Sequence, residues 1–309
     1  MQTGLSQIVK EALETTLDEF SNEVEEATEL LSQEKGRVGS LDILGRLVRI
    51  NSSGVALVIG DLHGDLESLI QILQESNILL RMKESTDTLL VFLGDYGDRG
   101  EYSPEIYYIA CRLKLLFSKQ VVLMRGNHEG PSDLMPSPHD LPMQLQSRFG
   151  GKWKDAYAKT RKLFEQLYTV AIVEEQCIMI HGGLPHEAEK IEDLAYAHVS
   201  HPKQSFLEEM LWNDPDEAVE NFSPSPRGAG GLFGKTVTDK ILKTFNVDFL
   251  VRGHEPCEEG FKINHGSKVL TLFSRKGPPY FNAYGAYLDF KLSERFENAR
   301  QLIPYIHKF

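Results

Sequence analysis

The fold of this chain is decided by the stretch Val55-Ala-Leu-Val-Ile-Gly-Asp-Leu-His-Gly-Asp65, in which an apolar run passes directly into a polar cluster. Apolar residues then recur at helical spacing from Leu66 to Leu73. The same order returns where Thr88–Leu93 leads into Gly94-Asp-Tyr-Gly-Asp-Arg-Gly100 and a predicted helix with Pro104 in its first turn. Strand, polar loop and helix in alternation predict an α/β fold.

Further along the chain, more apolar runs end in the same kind of polar cluster. Short runs of this composition, bounded by glycine and polar residues, predict strands. Because sites in open α/β sheets assemble at the carboxyl ends of strands, we expect the clusters to meet in one pocket. The runs and the clusters that follow them are Val121–Met124 with Arg125-Gly-Asn-His-Glu129, Cys177–Ile180 with His181-Gly-Gly183, and Asp248–Val251 with Arg252-Gly-His-Glu255.

The segments around these runs have other patterns. Apolar residues at helical spacing from Leu5 to Leu31, with acidic residues between them, predict helices that pack on the domain or on a partner. Leu41–Ile50 is interpreted as a further short helix, and Asn221–Gly231, which contains Arg227, as a loop rich in Gly, Pro and Ser. The expected division is an N-terminal helical segment at 1–40, a single domain at 41–290 and a C-terminal tail at 291–309.

The composition predicts a soluble globular protein and argues against several classes. With 33 basic and 45 acidic residues the formal charge is −12, which disfavours capture of nucleic acid by a basic surface. The cysteines, Cys111, Cys177 and Cys257, are widely spaced and form no Cys-x-x-Cys pair, so a reducing, cytoplasmic setting is expected. The N-terminus lacks a signal-peptide pattern and no apolar run is long enough to span a bilayer, so we expect no membrane association.

Several side chains in the polar clusters have the chemistry of metal ligands. A single Asp-x-His after a strand is weak evidence, since capping and structural roles are about as common. The whole set combines carboxylate, amide and imidazole donors, which suits manganese, iron or zinc, and one carboxylate can bridge two cations. The candidate ligands are Asp61, His63, Asp95, Asn127, His181 and His254.

Together the clusters resemble the successive signatures of the phosphoprotein phosphatase family of metal-dependent serine/threonine phosphatases, part of the calcineurin-like metallophosphoesterase superfamily. The clusters occur in the family's order, and the resemblance covers roughly Leu41 to Phe290. It extends to Leu211-Trp-Asn-Asp-Pro215 and to Arg227-Gly228. The resemblance implies an α/β fold with a metallophosphoesterase-type central β-sandwich flanked by helices, so that 41–290 would be a metallophosphatase catalytic domain.

The resemblance also implies two divalent metal ions. Manganese is the metal expected in vitro, with iron and zinc as alternatives. By matching position, one ion would be held by Asp61, His63 and Asp95. The second ion would share Asp95 and would be held also by Asn127, His181 and His254. A hydroxide bridging the two ions would attack phosphorus in line.

Catalytic and phosphate-binding roles follow by the same matching. His128 would protonate the departing serine or threonine alkoxide, and Asp98 would orient the His128 imidazole. Arg99 and Arg227 would bind the phosphate oxygens through their guanidinium donors, together with Asn127. The implied activity is that of a serine/threonine-specific phosphomonoesterase.

One loop departs from the family pattern. Ser274–Phe281 replaces the segment that in many members supplies a tyrosine to the catalytic groove. Tyr280 is a candidate to take that place, and Arg275 or Lys276 facing the phosphate is the alternative. The histidines outside the motifs, His139 among them, are interpreted as surface or structural residues.

Two other functions stay open at this point. Related phosphoesterases that hydrolyse dinucleoside polyphosphates share the ligand pattern, and a catalytically inactive phosphate-binding scaffold would keep the same fold. The expected partners are phosphoserine and phosphothreonine proteins or peptides. A regulatory protein is a further expected partner, with the N-terminal helical segment or the C-terminal tail as its place of contact.

Overall fold

The structure, a computed structural model, describes residues 4–309, and the α-helices lie between Leu5 and Thr244. The α-helices are α1 Leu5–Glu14, α2 Leu17–Gln33, α3 Leu66–Glu75, α4 Ile78–Glu84, α5 Ser103–Leu116, α6 Leu141–Phe149, α7 Trp153–Gln166, α8 Ile191–Ala195, α9 Ala197–Ser200, α10 Phe206–Trp212 and α11 Lys235–Thr244. Short 3₁₀ turns lie at Asn127–Glu129, Ser132–Leu134, Gly150–Lys152 and Ala299–Tyr305. The helices predicted within Leu5–Leu31, after Asp65 and at Pro104 are confirmed.

The strands are short and mostly buried. They are β1 Gly36–Val38, β2 Leu41–Leu44, β3 Leu47–Ile50, β4 Val55–Ile59, β5 Thr88–Phe92, β6 Val121–Leu123, β7 Val170–Val173, β8 Cys177–Ile180, β9 Asp214–Pro215, β10 Phe222–Pro224, β11 Gly231–Phe233, β12 Phe249–Arg252, β13 Phe261–Asn264, β14 Val269–Leu272, β15 Ala286–Lys291 and β16 Ile306–Lys308. The five strands predicted before the polar clusters are all present, as β4, β5, β6, β8 and β12.

Two large sheets form the centre of the molecule. One has the order β1-β2-β3-β7-β8-β12-β14-β13, and the other has the order β16-β15-β4-β5-β6. A small sheet, β10-β11-β9, lies beside them. Strands β4, β5 and β6 run parallel, as do β8, β12 and β14. Each large sheet therefore offers a set of parallel carboxyl ends.

Alternation along the strands gives the larger sheet two different apolar faces. Ala171 and Met179, which are paired across β7 and β8, belong to the apolar cluster that also contains Leu57 of the smaller sheet. Their neighbours Ile172 and Ile178 belong to a second cluster, shared with helices α10 and α11. The sequence of a strand that is buried on both faces is a continuous apolar run. The two sheets thus pack as a sandwich with helices outside, as the predicted fold class requires.

The prediction of a short helix at Leu41–Ile50 is wrong. The segment is the hairpin of β2 and β3, with Ile43 opposite Val48. Gly45 in the turn has a φ of +57°, and a Cβ there would lie 2.4 Å from a backbone oxygen of Ala195. β-Branched residues and a turn that demands glycine favour a hairpin over a helix, so the turn was the signal that the helical interpretation missed.

The prediction of a loop at Asn221–Gly231 is wrong at both ends. Strands β10 and β11 pair antiparallel, with Phe222 opposite Phe233, and only residues 225–230 form the turn that carries Arg227. The Phe222 ring stacks on the His186 ring at a centroid distance of 4.0 Å. Phe222 and Phe233 are opposite each other in this hairpin and belong to the same apolar cluster, which the Gly- and Pro-rich composition hides.

The N-terminal helices pack on other helices, and the C-terminal strand joins the smaller sheet. Helix α2 begins with a capping box between Thr16 and Glu19 and lies against α5 and α7. Strand β16 pairs antiparallel with β15 at the edge of the smaller sheet. The division of the chain at residues 40 and 290 stays a prediction. Within residues 4–309, no helix is both long and apolar enough to cross a bilayer.

A buried ion pair fixes the end of α2 on the body of the protein. Lys114 Nζ lies 2.8 Å from Glu34 Oε1, and its side chain is fully buried. The ammonium group also donates to the carbonyl oxygens of Ser118 and Val121, at 2.8 and 3.0 Å. Tyr168 donates its hydroxyl to the second Glu34 oxygen. Every proton of the buried ammonium group is therefore matched by an acceptor.

We expect Glu34→Ala to lower the free energy of unfolding by about 3–5 kcal/mol, because it leaves the Lys114 ammonium buried without its carboxylate. Urea denaturation followed by circular dichroism measures the change. As a matched control, Glu34→Leu combined with Lys114→Met removes both charges and should cost less than Glu34→Ala alone. A loss below about 1 kcal/mol for Glu34→Ala would show that the pair does not hold α2 in place.

Candidate active site

The predicted metal ligands converge at one place between the two large sheets. All of them are buried. A parallel bridge between Asp61 and Phe273 joins the end of β4 to the end of β14, so the carboxyl ends of both sheets meet here. The ligands lie after successive strands: Asp61 and His63 after β4, Asp95 after β5, Asn127 after β6, His181 after β8 and His254 after β12.

Several of these residues have an unusual backbone conformation. His63, Asp95 and His254 have φ values of 44°, 55° and 73°, in the left-handed region that non-glycine residues rarely occupy. Asp98 and Arg99 do the same, at 65° and 69°. Such conformations cost on the order of 1–3 kcal/mol each and persist where the surroundings over-determine them, most often at active sites.

Asp61, His63 and Asp95 form the first group of ligand atoms. His63 Nδ1 donates to the Gly97 carbonyl oxygen at 3.0 Å, which leaves Nε2 as an acceptor. This nitrogen lies 3.6 Å from Asp61 Oδ2 and 3.4 Å from Asp95 Oδ2. Atoms bound at about 2.0–2.2 Å to one cation stand at such separations. Asp61 Oδ2 is buried and has no hydrogen-bond partner among the described residues, so the group fits a cation.

Asn127, His181 and His254 form the second group around the other Asp95 oxygen. His181 Nδ1 donates to the Leu93 carbonyl oxygen at 3.1 Å, and its Nε2 lies 3.4 Å from Asp95 Oδ1. The Asn127 side-chain oxygen lies 3.0 Å from His181 Nε2 and 2.9 Å from His254 Nδ1. It also lies 3.0 Å from Asp95 Oδ2. Two oxygens at that distance repel unless a cation lies between them or the amide turns to donate its NH₂.

The Asp95 carboxylate is shared by the two groups. Its Oδ2 faces His63 and its Oδ1 faces His181, which is the arrangement of a bridging ligand. Potential ligand atoms of His63, Asp95 and His128 lie within 4.8 Å of one another, and so do those of Asp95, His181 and His254. Oxygen and imidazole donors in this mixture suit divalent transition metals. The clusters are therefore of the kind that holds metal ions.

Burial and charge shift the pKa values of the ligands in a systematic way. Burial raises the pKa of Asp61 to about 7, and the neighbouring Asp95 carboxylate adds to the rise. Burial opposes the charging of His181, but the Asp95 carboxylate outweighs it and raises the pKa of His181 to about 9. Burial, together with the nearby His181, holds the pKa of His254 well below its usual range. Without a cation the cluster therefore retains protons.

Asp98 and His128 form a close pair beside the ligand groups. His128 Nδ1 lies 2.6 Å from Asp98 Oδ2, and the His128 ring packs edge-on against His63 at 4.7 Å between centroids. The other Asp98 oxygen accepts backbone N–H groups of Asp140 and Leu141, both at 2.7 Å. Burial opposes the ionisation of Asp98, but the hydrogen bonds from His128 and His139 outweigh burial and hold the pKa of Asp98 well below its usual range. Burial lowers the pKa of His128, but the Asp95 and Asp98 carboxylates produce a net rise.

Both predicted phosphate-binding arginines line one cleft above the ligands, with a volume of about 640 Å³. Arg227 Nε lies 2.9 Å from Asp214 Oδ2, and the Arg227 side chain is 38% exposed. Arg99 Nη2 donates to the Ser137 carbonyl oxygen at 3.4 Å. Asp214 is held in turn by the buried Arg252, whose Nη2 lies 2.9 Å from Asp214 Oδ1. The cleft thus presents two guanidinium groups above the ligand cluster.

The loop that departs from the family pattern places Tyr280 in the cleft. The Tyr280 ring stacks on His63 at a centroid distance of 5.5 Å and meets Phe273 edge-on. Arg275 does not face the cleft: its Nη1 donates to the His63 carbonyl oxygen at 2.9 Å, and its Nη2 to Pro278. Lys276 points away as well and reaches a glutamine on α3. Of the open alternatives for this loop, the structure favours Tyr280.

Sequence reasoning missed one neighbour of the Asp98–His128 pair. His139, interpreted as a surface or structural residue, has its Nδ1 2.8 Å from Asp98 Oδ2 and its Nε2 2.9 Å from the Tyr157 hydroxyl. It lies 41 positions from Asp98, within a Pro-Ser-Pro-His-Asp stretch that has no periodicity. Nothing in the local sequence indicates this contact, because only the folding of the segment over the loop after β5 creates it.

The similarity of the chain to known proteins agrees with this cluster. The family model of calcineurin-like phosphoesterases matches residues 55–258, which contain every predicted ligand. The chain belongs to this family. Among its relatives, a probable serine/threonine-protein phosphatase of Encephalitozoon cuniculi is 33% identical over 241 residues, which is 77% of this chain and 50% of that protein. The phosphoesterase chain spans about half the length of this relative and of the PP2A-like phosphatase PPG1 of Candida albicans.

Other relatives match over more of their own length. The catalytic subunit of serine/threonine-protein phosphatase 4 of Candida glabrata is 31% identical over 73% of this phosphoesterase and 72% of that protein. Among solved structures, a serine/threonine phosphatase from Saccharomyces cerevisiae, described as similar to human phosphatase PP5, superposes with a TM-score of 0.79 at 21% identity. The superposition covers 99% of this chain and 96% of that one. These relatives support the predicted family, and the superposition supports the fold.

We expect metal binding by this chain to weaken steeply as the pH falls. His181, with a pKa of about 9, and Asp61, with a pKa of about 7, hold protons that a cation must displace. The apparent affinity should fall about tenfold per pH unit between pH 9 and 7, and about a hundredfold per unit below pH 7. Zinc titration calorimetry in buffers of different ionisation enthalpy counts the protons released.

The control for this measurement is Asp61→Asn, which removes one of the two displaceable protons. The dependence of its metal affinity on pH should keep a slope of about one proton throughout. An affinity for zinc that stays constant between pH 6 and pH 9 in the unmodified protein would contradict these proton assignments.

Proposed function

We propose that this chain is a protein serine/threonine phosphatase that hydrolyses phosphomonoesters in a single step. The observation that carries the proposal is the pairing of His128 with Asp98 at 2.6 Å beside a shared-carboxylate ligand cluster. The pair and the cluster open into the cleft that Arg99 and Arg227 line. A cation cluster, an acid and two phosphate-binding cations in one cleft are the parts that phosphate monoester hydrolysis needs.

Two divalent ions would be held by the cluster, with manganese, iron or zinc compatible with its donors. Asp61 and His63 would hold one ion, and Asp95 would join it to the second. Bound ions supply a water of lowered pKa and neutralise charge on the phosphate oxygens. The remaining ligands, all on the second ion, would be Asn127, His181 and His254.

Arg99 and Arg227 are assigned to the phosphate group. A guanidinium group offers paired donors that match two phosphate oxygens, and it stays charged at any working pH. Asp214 orients Arg227 through its Nε and leaves the terminal nitrogens for the substrate. Asn127, which also lines the cleft, is the neutral donor or ligand beside them.

His128 is assigned to the leaving group. Its Nδ1 is held by Asp98, so that Nε2 is the nitrogen that carries the proton to be given away. The oxygen of water bonds to phosphorus and releases one proton to the solvent as the P–O ester bond breaks. The departing alkoxide takes the proton of His128, which a proton from the solvent then replaces. The Asp98 carboxylate, 2.6 Å from Nδ1, stabilises the protonated form that this role requires.

Phosphoserine and phosphothreonine proteins or peptides are the proposed substrates. The support for them is the family membership and the names of the relatives, which are serine/threonine phosphatases. Trp212 and Tyr280 form apolar walls of the cleft, suited to the carbon atoms of a peptide. Three buried free thiols, Cys111, Cys177 and Cys257, are consistent with a reducing, cytoplasmic setting. A regulatory protein partner stays a prediction.

A substrate panel tests the proposed function. With manganese added, we expect phosphate release from phosphoserine and phosphothreonine peptides, measured by a colorimetric phosphate assay, and none from dinucleoside polyphosphates. Metal content measured on the same samples is the control. Turnover confined to dinucleoside polyphosphates would replace the proposal with the nucleotide hydrolase. Phosphate binding with no turnover of any ester would replace it with the inactive scaffold.

Arg227→Ala should weaken phosphate binding while the metal content stays unchanged, because Arg252 still pairs Asp214 after the loss. Loss of a charge-assisted hydrogen bond of about 1.5–3 kcal/mol predicts a rise of about ten- to a hundredfold in the inhibition constant of inorganic phosphate. Arg227→Lys is the matched control, because it keeps the positive charge but loses the planar pair of donors. Its inhibition constant should lie between those of the unmodified protein and Arg227→Ala. An unchanged inhibition constant would show that Arg227 does not bind phosphate and is an ordinary exposed residue.

A further inference from the structure

The segment Ser137–Leu141 closes over the loop that carries Asp98 and Arg99. The backbone N–H groups of Asp140 and Leu141 donate to Asp98 Oδ1, and the Ser137 carbonyl oxygen accepts from Arg99 Nη2. The Asp140 carboxylate accepts the backbone N–H of Arg99 at 3.1 Å. One segment therefore fixes both residues that, by the proposed function, serve the leaving group and the phosphate.

The His139 side chain adds to the contacts that the segment Ser137–Leu141 makes with Asp98. Its Nδ1 lies 2.8 Å from Asp98 Oδ2, the same oxygen that His128 contacts at 2.6 Å. The Asp98 side chain is 1% exposed, whereas that of His139 is 14% exposed. With two backbone and two imidazole donors, the carboxylate has a donor on each side and no freedom to rotate. Its direction fixes the direction of the His128 ring.

The hydrogen-bond partners of His139 define its tautomer. Because a carboxylate can only accept, His139 Nδ1 carries a hydrogen and donates it to Asp98. Its Nε2 lies within hydrogen-bond distance of the Tyr157 hydroxyl, 2.9 Å away. The Tyr157 ring lies 5.7 Å from the His139 ring, between centroids. Tyr157, His139, Asp98 and His128 thus form one continuous chain of hydrogen bonds.

We infer that His139 is a positioning residue for leaving-group protonation: by holding Asp98 Oδ2 together with Tyr157, it aligns His128 with the departing oxygen. This inference rests on the proposed function. A purely structural His139 would only help the Ser137–Leu141 segment to fold, and its loss would then affect every substrate equally. A positioning His139 predicts a loss that grows with the basicity of the leaving group, because basic leaving groups need the proton most.

The test compares His139→Gln with His139→Asn. The amide nitrogen of glutamine takes the place of Nε2 and gives no donor to Asp98, whereas the amide nitrogen of asparagine takes the place of Nδ1 and restores it. The kcat/KM values are measured for 2,4-dinitrophenyl, 4-nitrophenyl and phenyl phosphate and for a phosphoserine peptide. We expect His139→Gln to lose about tenfold on the peptide and less than about twofold on 2,4-dinitrophenyl phosphate. His139→Asn should recover most of the peptide rate.

Several outcomes would overturn the inference. An equal loss on all esters at unchanged metal content would make His139 structural only, and no loss on any ester would leave it without a role. If His139→Gln does not fold, Tyr157→Phe, which removes only the outer partner, is measured on the same esters. It should show the same trend with a smaller amplitude, and a flat profile would overturn the inference equally.

A readout independent of turnover separates this inference from the proposed function. In the zinc-loaded protein with ¹⁵N-labelled histidine, the His128 Nδ1 proton bonded to Asp98 should give a downfield resonance. His139→Gln should broaden it or move it upfield, and His139→Asn should preserve it. If the resonance behaves in this way but the unmodified protein hydrolyses no ester, the proposed function fails and the positioning stands. If the unmodified protein hydrolyses esters but the resonance is the same in both variants, the inference about His139 is wrong and the proposed function is unaffected.

Discussion

The Asp95 carboxylate is the constraint on which the rest of the site depends. It is buried between two groups of ligand atoms, and burial of an uncompensated carboxylate is costly. Burial opposes its ionisation, but His181, His128 and His63 outweigh burial and hold the pKa of Asp95 well below its usual range. The backbone N–H of His128 adds a hydrogen bond to Oδ1 at 3.0 Å. A permanent anion in the middle of the cluster places one carboxylate within reach of both groups of candidate ligand atoms.

A second buried carboxylate keeps Asp95 in place. Glu129 accepts the backbone N–H groups of Asp95 and Gly126, at 2.8 and 3.0 Å, and the Tyr107 hydroxyl at 2.6 Å. It thereby ties the loop after β5 to the loop after β6. The fit is close enough that a Cβ on Gly126 would lie 2.1 Å from Asp95 Oδ1. Glu129 therefore fixes the two loops relative to each other, and position 126 has no room for a side chain.

The strands before the polar clusters are predictable from this sequence, whereas the hairpins are not, for a physical reason. An apolar run that ends in a glycine-bounded polar cluster is a local signal, which is why β4, β5, β6, β8 and β12 were predictable. The hairpin at Leu41–Ile50 depends on the turn at Gly45 packed against the backbone of Ala195, far along the chain. The β10–β11 hairpin depends on the pairing of Phe222 with Phe233. Contacts of this kind leave no periodic trace in their own segments.

By itself, the sequence determined the type of chemistry: which side chains could hold cations, which family they resemble and in which order they occur. The tertiary structure alone decided how those side chains are shared and oriented. It divides the two oxygens of Asp95 between His63 and His181, places Tyr280 rather than Arg275 in the cleft, and brings His139 to Asp98 across 41 positions. The sequence states the chemical type of each side chain directly. The direction in which its donor and acceptor atoms point depends on the packing of segments that are distant in the chain.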